Sequence, residues 1–138
     1  MFKQLPKKFK YGRSFTIDMR VNTSRYCILQ YFVLGLVFLE AGDIYYHQVF
    51  AIFKLLKKHF KKRVKLKFNI SFDIPYTKKS ISSRMGKGKG ARKGFKALVE
   101  RGQILVELSG VSFLSGYKAL LQGGQRLPLL TKVVKIKI

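Results

Sequence analysis

Acidic residues are scarce in this chain. Asp and Glu number 6 in 138 residues against 29 Lys and Arg, for a formal charge of +23. The six acids, Asp18, Glu40, Asp43, Asp73, Glu100 and Glu107, are scattered singly, which speaks against a carboxylate-dyad hydrolase. A single cysteine, Cys27, excludes an internal disulfide, and its apolar neighbours suit a small buried hydrophobe. With two distant histidines, His47 and His59, it makes no zinc-ligand set and suggests no nucleophile–base–acid order. The sequence therefore points to no enzyme, no metal and no cofactor. Long hydrophobic runs are also missing. Tyr26 to Leu39 (YCILQYFVLGLVFL) is 14 residues, whereas a spanning helix needs about 20. Its aromatic and β-branched content suits buried strands, so no membrane span is expected. The first residues alternate Lys with Phe and show no small-residue cleavage site, which argues against a secretory signal.

What is present is a foldable, strongly cationic chain. Hydrophobic residues make up 47% of it, too many for a disordered basic tail, and its length fits one domain with a real core. Self-repulsion at this charge opposes compaction unless a polyanion takes it up, which implies a nucleic-acid or anionic-membrane partner.

Residues 1–25 carry seven cations with one acid, broken by Pro6 and Gly12. They read as an extended basic arm, with Phe9, Tyr11 and Phe15 between the charges as docking aromatics. Residues 26–138 read as one domain. Residues 26–39 are expected to form one or two buried strands. Across 43–61, Tyr45, Val49, Ile52, Phe53, Leu56 and Phe60 recur at helical spacing, with Asp43 as the expected N-cap. Lys54, Lys57, Lys58 and Lys61 share another face of that helix. Their mutual repulsion argues for phosphates opposite them; their place at the helix C-terminus, which favours cations, also allows a plain solvated face. Residues 64–74 alternate apolar and polar as a half-buried strand does, ending at Pro75. Residues 76–94 (YTKKSISSRMGKGKGARKG) contain no acid and nothing to bury, and predict a long projecting loop. A hairpin of Phe95–Glu100 with Gln103–Leu108 turns at Arg101-Gly102. Ser112 is expected to cap a short helix holding Phe113, Tyr117, Leu120 and Leu121 and closed by Gly123-Gly124. A strand over 127–138 ends the chain, with Val134, Ile136 and Ile138 on one face. There are no repeats and no interdomain linker, and the element order predicts an α+β fold in two layers.

The sharpest motif is Arg84-Met85-Gly86-Lys87-Gly88-Lys89-Gly90. Glycine at alternate positions lets the backbone approach another surface closely, and the intervening lysines put charge at the same place. That combination fits a phosphate backbone. It is not a P-loop, because Ala91-Arg92 follows Gly90 where Lys-Ser/Thr is required. Nor does it open a helix as a dinucleotide fingerprint does, since Phe95 onward reads as strand.

The string at 84–90, preceded by Asp73, Pro75, Thr77 and Lys79 at matching spacing, resembles the signature of the universal large-subunit ribosomal protein number sixteen family (bacterial-type L-sixteen). The resemblance continues through Ala97-Leu98, Gly102, Glu107, Gly110-Val111 and Leu127-Pro128, and upstream through Gly35-Leu36, Gly42 and Gln48. It covers residues 30–138, and more weakly Pro6-Lys7-Lys8-Phe9-Lys10. It implies an α/β hammerhead-like fold with two helices on a mixed or antiparallel sheet, in a structural protein that binds large-subunit rRNA beside other ribosomal proteins. It also implies that the 84–90 loop reaches toward bound tRNA and the peptidyl-transferase region, and that Arg84 is a candidate for hydroxylation. The candidate rRNA-binding residues are Lys7, Lys8, Lys10, Arg13, Lys54, Lys57, Lys58, Lys61, Lys62, Arg63, Lys78, Lys79, Arg92 and Lys93. Those facing tRNA are Arg84, Met85, Gly86, Lys87, Gly88, Lys89 and Gly90. The family's first helix and the loop before it usually carry several Arg; here those places hold Ala41, Asp43, His47 and Phe50, which implies fewer RNA contacts there and room for protein contacts.

Phe, Ile, Lys, Asn and Tyr far outnumber Gly, Ala, Arg and Pro, and Lys outnumbers Arg by 21 to 8. That skew is what an AT-rich genome encodes. With the family's arm beginning inside the first ten residues, no cleaved transit peptide is expected, and an organelle-encoded, mitochondrial ribosomal protein fits best; a plastid or an AT-rich bacterium is the other source. The competing functional readings are a free-standing nucleic-acid-binding module and a membrane-surface protein using the basic helix with the run at 26–39.

Overall fold

The computed structural model describes Leu29 and residues 33–60, 64–86 and 88–135. The described elements are β1 (Leu34–Phe38), β2 (Gly42–Tyr45), α1 (Tyr46–Phe60), β3 (Lys65–Phe68), β4 (Ile74–Lys78), β5 (Ala91–Val99), β6 (Ile104–Ser109), α2 (Phe113–Gly124) and β7 (Thr131–Lys135). They form two antiparallel sheets, one ordered β3-β6-β1-β7 and the other β2-β5-β4, with both helices packed on this framework. The α+β expectation holds, with two sheets in place of one.

β1 explains the apolar run. It lies between β6 and β7, and all five residues are buried because both faces are covered. Leu34, Leu36 and Phe38 enter the main core with Ile44, Val49, Ile52, Leu56, Leu105, Leu108 and Leu120; Val37 packs on the other face with Leu29 and Ile104. Among the described residues of the 26–39 run, strand covers Leu34–Phe38, and Leu29 is the only other part described upstream of Val33.

Asp43 is not a helix cap. It sits inside β2 opposite Leu98, and its carboxylate accepts from Lys96 Nζ at 2.5 Å. The helix begins at Tyr46, and Gln48 Oε1 accepts the Tyr45 backbone N–H at 3.0 Å. That is the returning half of a capping box. Val49, Ile52 and Leu56 form the buried stripe of α1, as the periodicity predicted.

The alternating stretch 64–74 is not one strand. β3 pairs with β6, and the Asn69 N–H still bonds the Leu105 carbonyl at 3.0 Å, but residues 70–73 leave that sheet and β4 joins the other one. Ile70 and Phe72 stay buried along the crossing. Alternation reports which face is covered, not which strand supplies the hydrogen bonds. Pro75 lies within β4, opposite Phe95, and is accommodated because β4 is an edge strand.

The expected hairpin at 95–108 is likewise two strands of different sheets. β5 pairs with β2 and β4, and β6 with β1 and β3. The turn between them is tight: the Gln103 N–H donates to the Glu100 carbonyl at 3.2 Å, and Gly102 takes φ 86°. The Phe38 N–H and carbonyl bond Gln103 and Gly102, pinning this turn to the end of β1. Each flanking strand is then claimed by a different neighbour.

α2 starts after Ser112, whose side chain makes no capping bond, although its carbonyl accepts the Gly116 N–H at 3.0 Å. Gly123 and Gly124 do not terminate the helix as a left-handed cap. They are helical and buried, and a Cβ on Gly123 would meet Ile52 of α1 at 3.2 Å. The inward face is built of small residues with Leu120, while Phe113, Leu114, Tyr117 and Leu121 are exposed. Residues 127–130 are not strand, so β7 starts later than the expected final strand, and 136–138 lie outside the described residues.

Glu107 is fully buried in β6 and accepts a hydrogen bond from Asn69 Nδ2 at 2.5 Å. Removing one partner of a buried hydrogen bond is costly. Asn69→Ala should lower unfolding stability by about 1–3 kcal/mol in chemical denaturation; an unchanged midpoint would show that the bond contributes nothing.

Candidate nucleic-acid interface

β4 and β5 form a hairpin whose tip is the glycine–lysine loop. The predicted loop over 76–94 is therefore shorter, spanning residues 79–90, because both its ends are sheet. Residues 80–86, 88 and 89 are exposed, and Ile81 and Met85 are almost wholly so, at 103% and 93%. The three glycines of the string serve two purposes. Gly86 and Gly88 take φ 88° and 79° with nothing within 4 Å of an added Cβ, so backbone conformation requires them. At Gly90 a Cβ would meet the Lys78 backbone carbon at 2.6 Å, so space requires it, at the point where the loop's two ends close on each other. Around that base lies an open groove of about 610 Å³, lined among others by Lys78, Lys79, Lys89, Arg92 and Lys93. The hairpin thus brings together two groups of predicted residues that stand more than ten positions apart. Arg84 and Met85 project beyond the groove; Lys87 lies outside the described residues.

Lys54, Lys57 and Lys58 are exposed on α1, as their spacing predicted. Lys54 Nζ lies 4.8 Å from the Phe50 ring centroid and Lys57 Nζ 5.7 Å from that of Phe53. Such cation–π contacts hold the ammonium groups along the helix surface. Lys58 and Lys54 also border a cleft of about 720 Å³ between α1 and α2, with Ala51 and Leu55 lining it and His59, Gln122 and Arg126 completing it. His59 Nε2 and Gln122 Oε1 are 3.1 Å apart across this cleft. Sequence reading missed Arg126 and Gln122, which lie more than sixty residues from Lys54 and join it only through helix packing. Lys7, Lys8, Lys10, Arg13, Lys61, Lys62 and Arg63 lie outside the described residues.

These surfaces are cationic and exposed. Among the described residues no group of three or more His, Cys, Asp and Glu stands together, and no helix is long and apolar enough to cross a membrane. The family model described as ribosomal protein L16p/L10e matches residues 6–134. The chain belongs to that family. Among L16p/L10e relatives, it is 34% identical over 131 residues to the large ribosomal subunit protein uL16 of Thermus thermophilus, covering 95% of this chain and 93% of the relative. It is 36% identical over 129 residues to the large ribosomal subunit protein uL16 of Karelsulcia muelleri, covering 94% and 95%. The resemblance read from the 84–90 string thus extends over nearly the whole L16p/L10e sequence.

Proposed function

We propose that this protein is a structural constituent of the large ribosomal subunit and not an enzyme. It binds large-subunit rRNA beside neighbouring ribosomal proteins, through the cationic surfaces of α1 and the β4–β5 hairpin. The finer part of the reading is that loop 79–90 reaches the tRNA-binding region near the peptidyl-transferase centre, and that the protein works in a mitochondrial ribosome. The observation that supports the loop's role is its exposure: Arg84, Met85, Gly86, Gly88 and Lys89 all stand exposed, clear of the protein's own core. Phosphates neutralise such a segment with little base readout. The AT-encoded composition supports the organellar setting.

Sucrose-gradient sedimentation of a cell and an organelle lysate, with and without RNase, tests the assignment. The protein should travel with the large subunit of the mitochondrial fraction and leave that position after RNase. Sedimentation as a free protein, or RNase-resistant membrane association, overturns it. For the loop, Lys87→Ala with Lys89→Ala should leave the thermal unfolding midpoint unchanged, because the described residues around them, 80–86, 88 and 89, are exposed, yet slow subunit maturation or tRNA accommodation. Normal translation by that variant removes the loop from the mechanism.

A further inference from the structure

At the start of α1 the chain builds an aromatic pocket. A cavity of about 440 Å³ is lined by Tyr46, His47, Tyr76, Arg92, Lys93 and Phe95, with Gly94 at its wall. Three features make it a formed site rather than a gap between side chains. First, the rings are braced by one another. Tyr45 stacks with His47 at 5.6 Å and 14°, and meets Tyr76 edge-on at 4.8 Å. Tyr46 stacks on Phe50 at 5.7 Å and meets the buried Phe72 edge-on at 5.4 Å. Second, Tyr76 and Gly94 are cross-strand partners, and a Cβ on Gly94 would meet Tyr76 Cε1 at 2.8 Å. The ring is therefore laid across the glycine. Third, β5 is irregular at this point: Tyr76 faces Gly94 but Thr77 faces Arg92, which leaves Lys93 as an extra residue. Strict alternation sends neighbouring residues to opposite faces; a bulge re-aims them, and here both Arg92 and Lys93 border one cavity. Arg92 lies 5.4 Å from the Phe95 ring centroid.

We propose that this pocket receives a single unstacked nucleotide of RNA, its base against the aromatic rings and its phosphate at Arg92 and Lys93. Flat aromatic faces select a planar ligand, and two cations with no carboxylate among the lining residues select an anionic one. Recognition of RNA by proteins uses this combination for bases splayed out of loops and bulges. Stacking on the rings is thus supplemented by the cations that the β5 bulge contributes. The proposal rests on the RNA-binding reading above and adds to it the class of nucleotide this face takes.

The test compares the purified full-length protein on two probes: an RNA hairpin with one extruded uridine, and the same hairpin fully paired. Wild-type protein should prefer the bulged hairpin by about tenfold. Tyr76→Ala should abolish that preference while leaving the paired hairpin within about twofold, and Tyr76→Phe, which keeps the ring, should retain it. With 4-thiouridine at the bulge, photo-cross-links should map to the 45–47, 76 or 92–95 segments, a readout independent of any variant's folding. Equal affinity for the two hairpins, equal losses on both in Tyr76→Ala, or cross-links confined to the loop tip or to α1 beyond His47 would overturn the proposal. The first result would also leave the pocket to a protein segment. Retention of binding to the paired hairpin, with sedimentation in the large subunit, would show that the ribosomal reading stands even so; failure of both would show that it does not.

Discussion

Binding of the free protein to its rRNA site is expected to weaken by about 10³–10⁵-fold when salt rises from 50 to 200 mM. The expectation comes from the excess of cations over carboxylates in the sequence. Twenty-nine Lys and Arg face six acids, Glu107 is buried and Asp43 is held by Lys96. On the described surface, Lys54, Lys57, Lys58 and Arg126 stand exposed around the two helices, and Lys78, Arg84, Lys89, Arg92 and Lys93 along the hairpin. If about eight of the chain's cations neutralise phosphates, each releases counterions, and the logarithm of affinity falls with the logarithm of salt at roughly −0.9 per contact. Fluorescence anisotropy across a salt series measures the slope. Lys54→Gln, Lys57→Gln and Lys58→Gln should each flatten it by roughly 0.9 if that lysine meets a phosphate. A slope near zero contradicts phosphate neutralisation, and an unchanged slope in all three variants returns the α1 stripe to a merely solvated face.

Phe38→Ala is expected to cost about 3–5 kcal/mol, a large share of an ordinary domain's stability. Phe38 is fully buried at the end of β1. Its backbone also anchors the turn that passes the chain from one sheet to the other, with the Gly102 N–H donating to its carbonyl at 2.7 Å. The truncation therefore opens a cavity where the two sheets meet. Lys58→Ala, on an exposed helical face, should move stability by no more than about 0.5 kcal/mol. Urea denaturation of the RNA-free protein separates the two. A Phe38→Ala variant as stable as wild type would place the core elsewhere. Because bound RNA stabilises only the folded state, the defect should shrink on adding the rRNA fragment.

The local chemistry was readable from residues alone, since its causes are local. The helical stripe of Val49, Ile52 and Leu56, the alternation from Val64 to Ile74 and the acid-free glycine–lysine string depend on nearest neighbours and on composition. So did the family, because the string and its flanking spacing carried a resemblance that extends over residues 6–134. What residues alone did not supply was partnership. Asp43 looks like a cap but pairs with Lys96, more than fifty positions away. Phe95–Glu100 and Gln103–Leu108 look like a hairpin but are divided between two sheets, since hydrogen-bond partners are chosen by every strand in reach and not by adjacency. Gly123 looks like a helix stop and is instead the close contact of α2 with Ile52.

Sequence by itself determined the charge, the apolar periodicities, the exposed loop and the family. Tertiary structure decided which strands pair, that Arg126 joins Lys54 and Lys58, and that Tyr76, His47 and Arg92 line one cavity. The division follows from range. Charge, propensity and period act within a few residues, whereas a binding surface is assembled only when packing brings distant segments together.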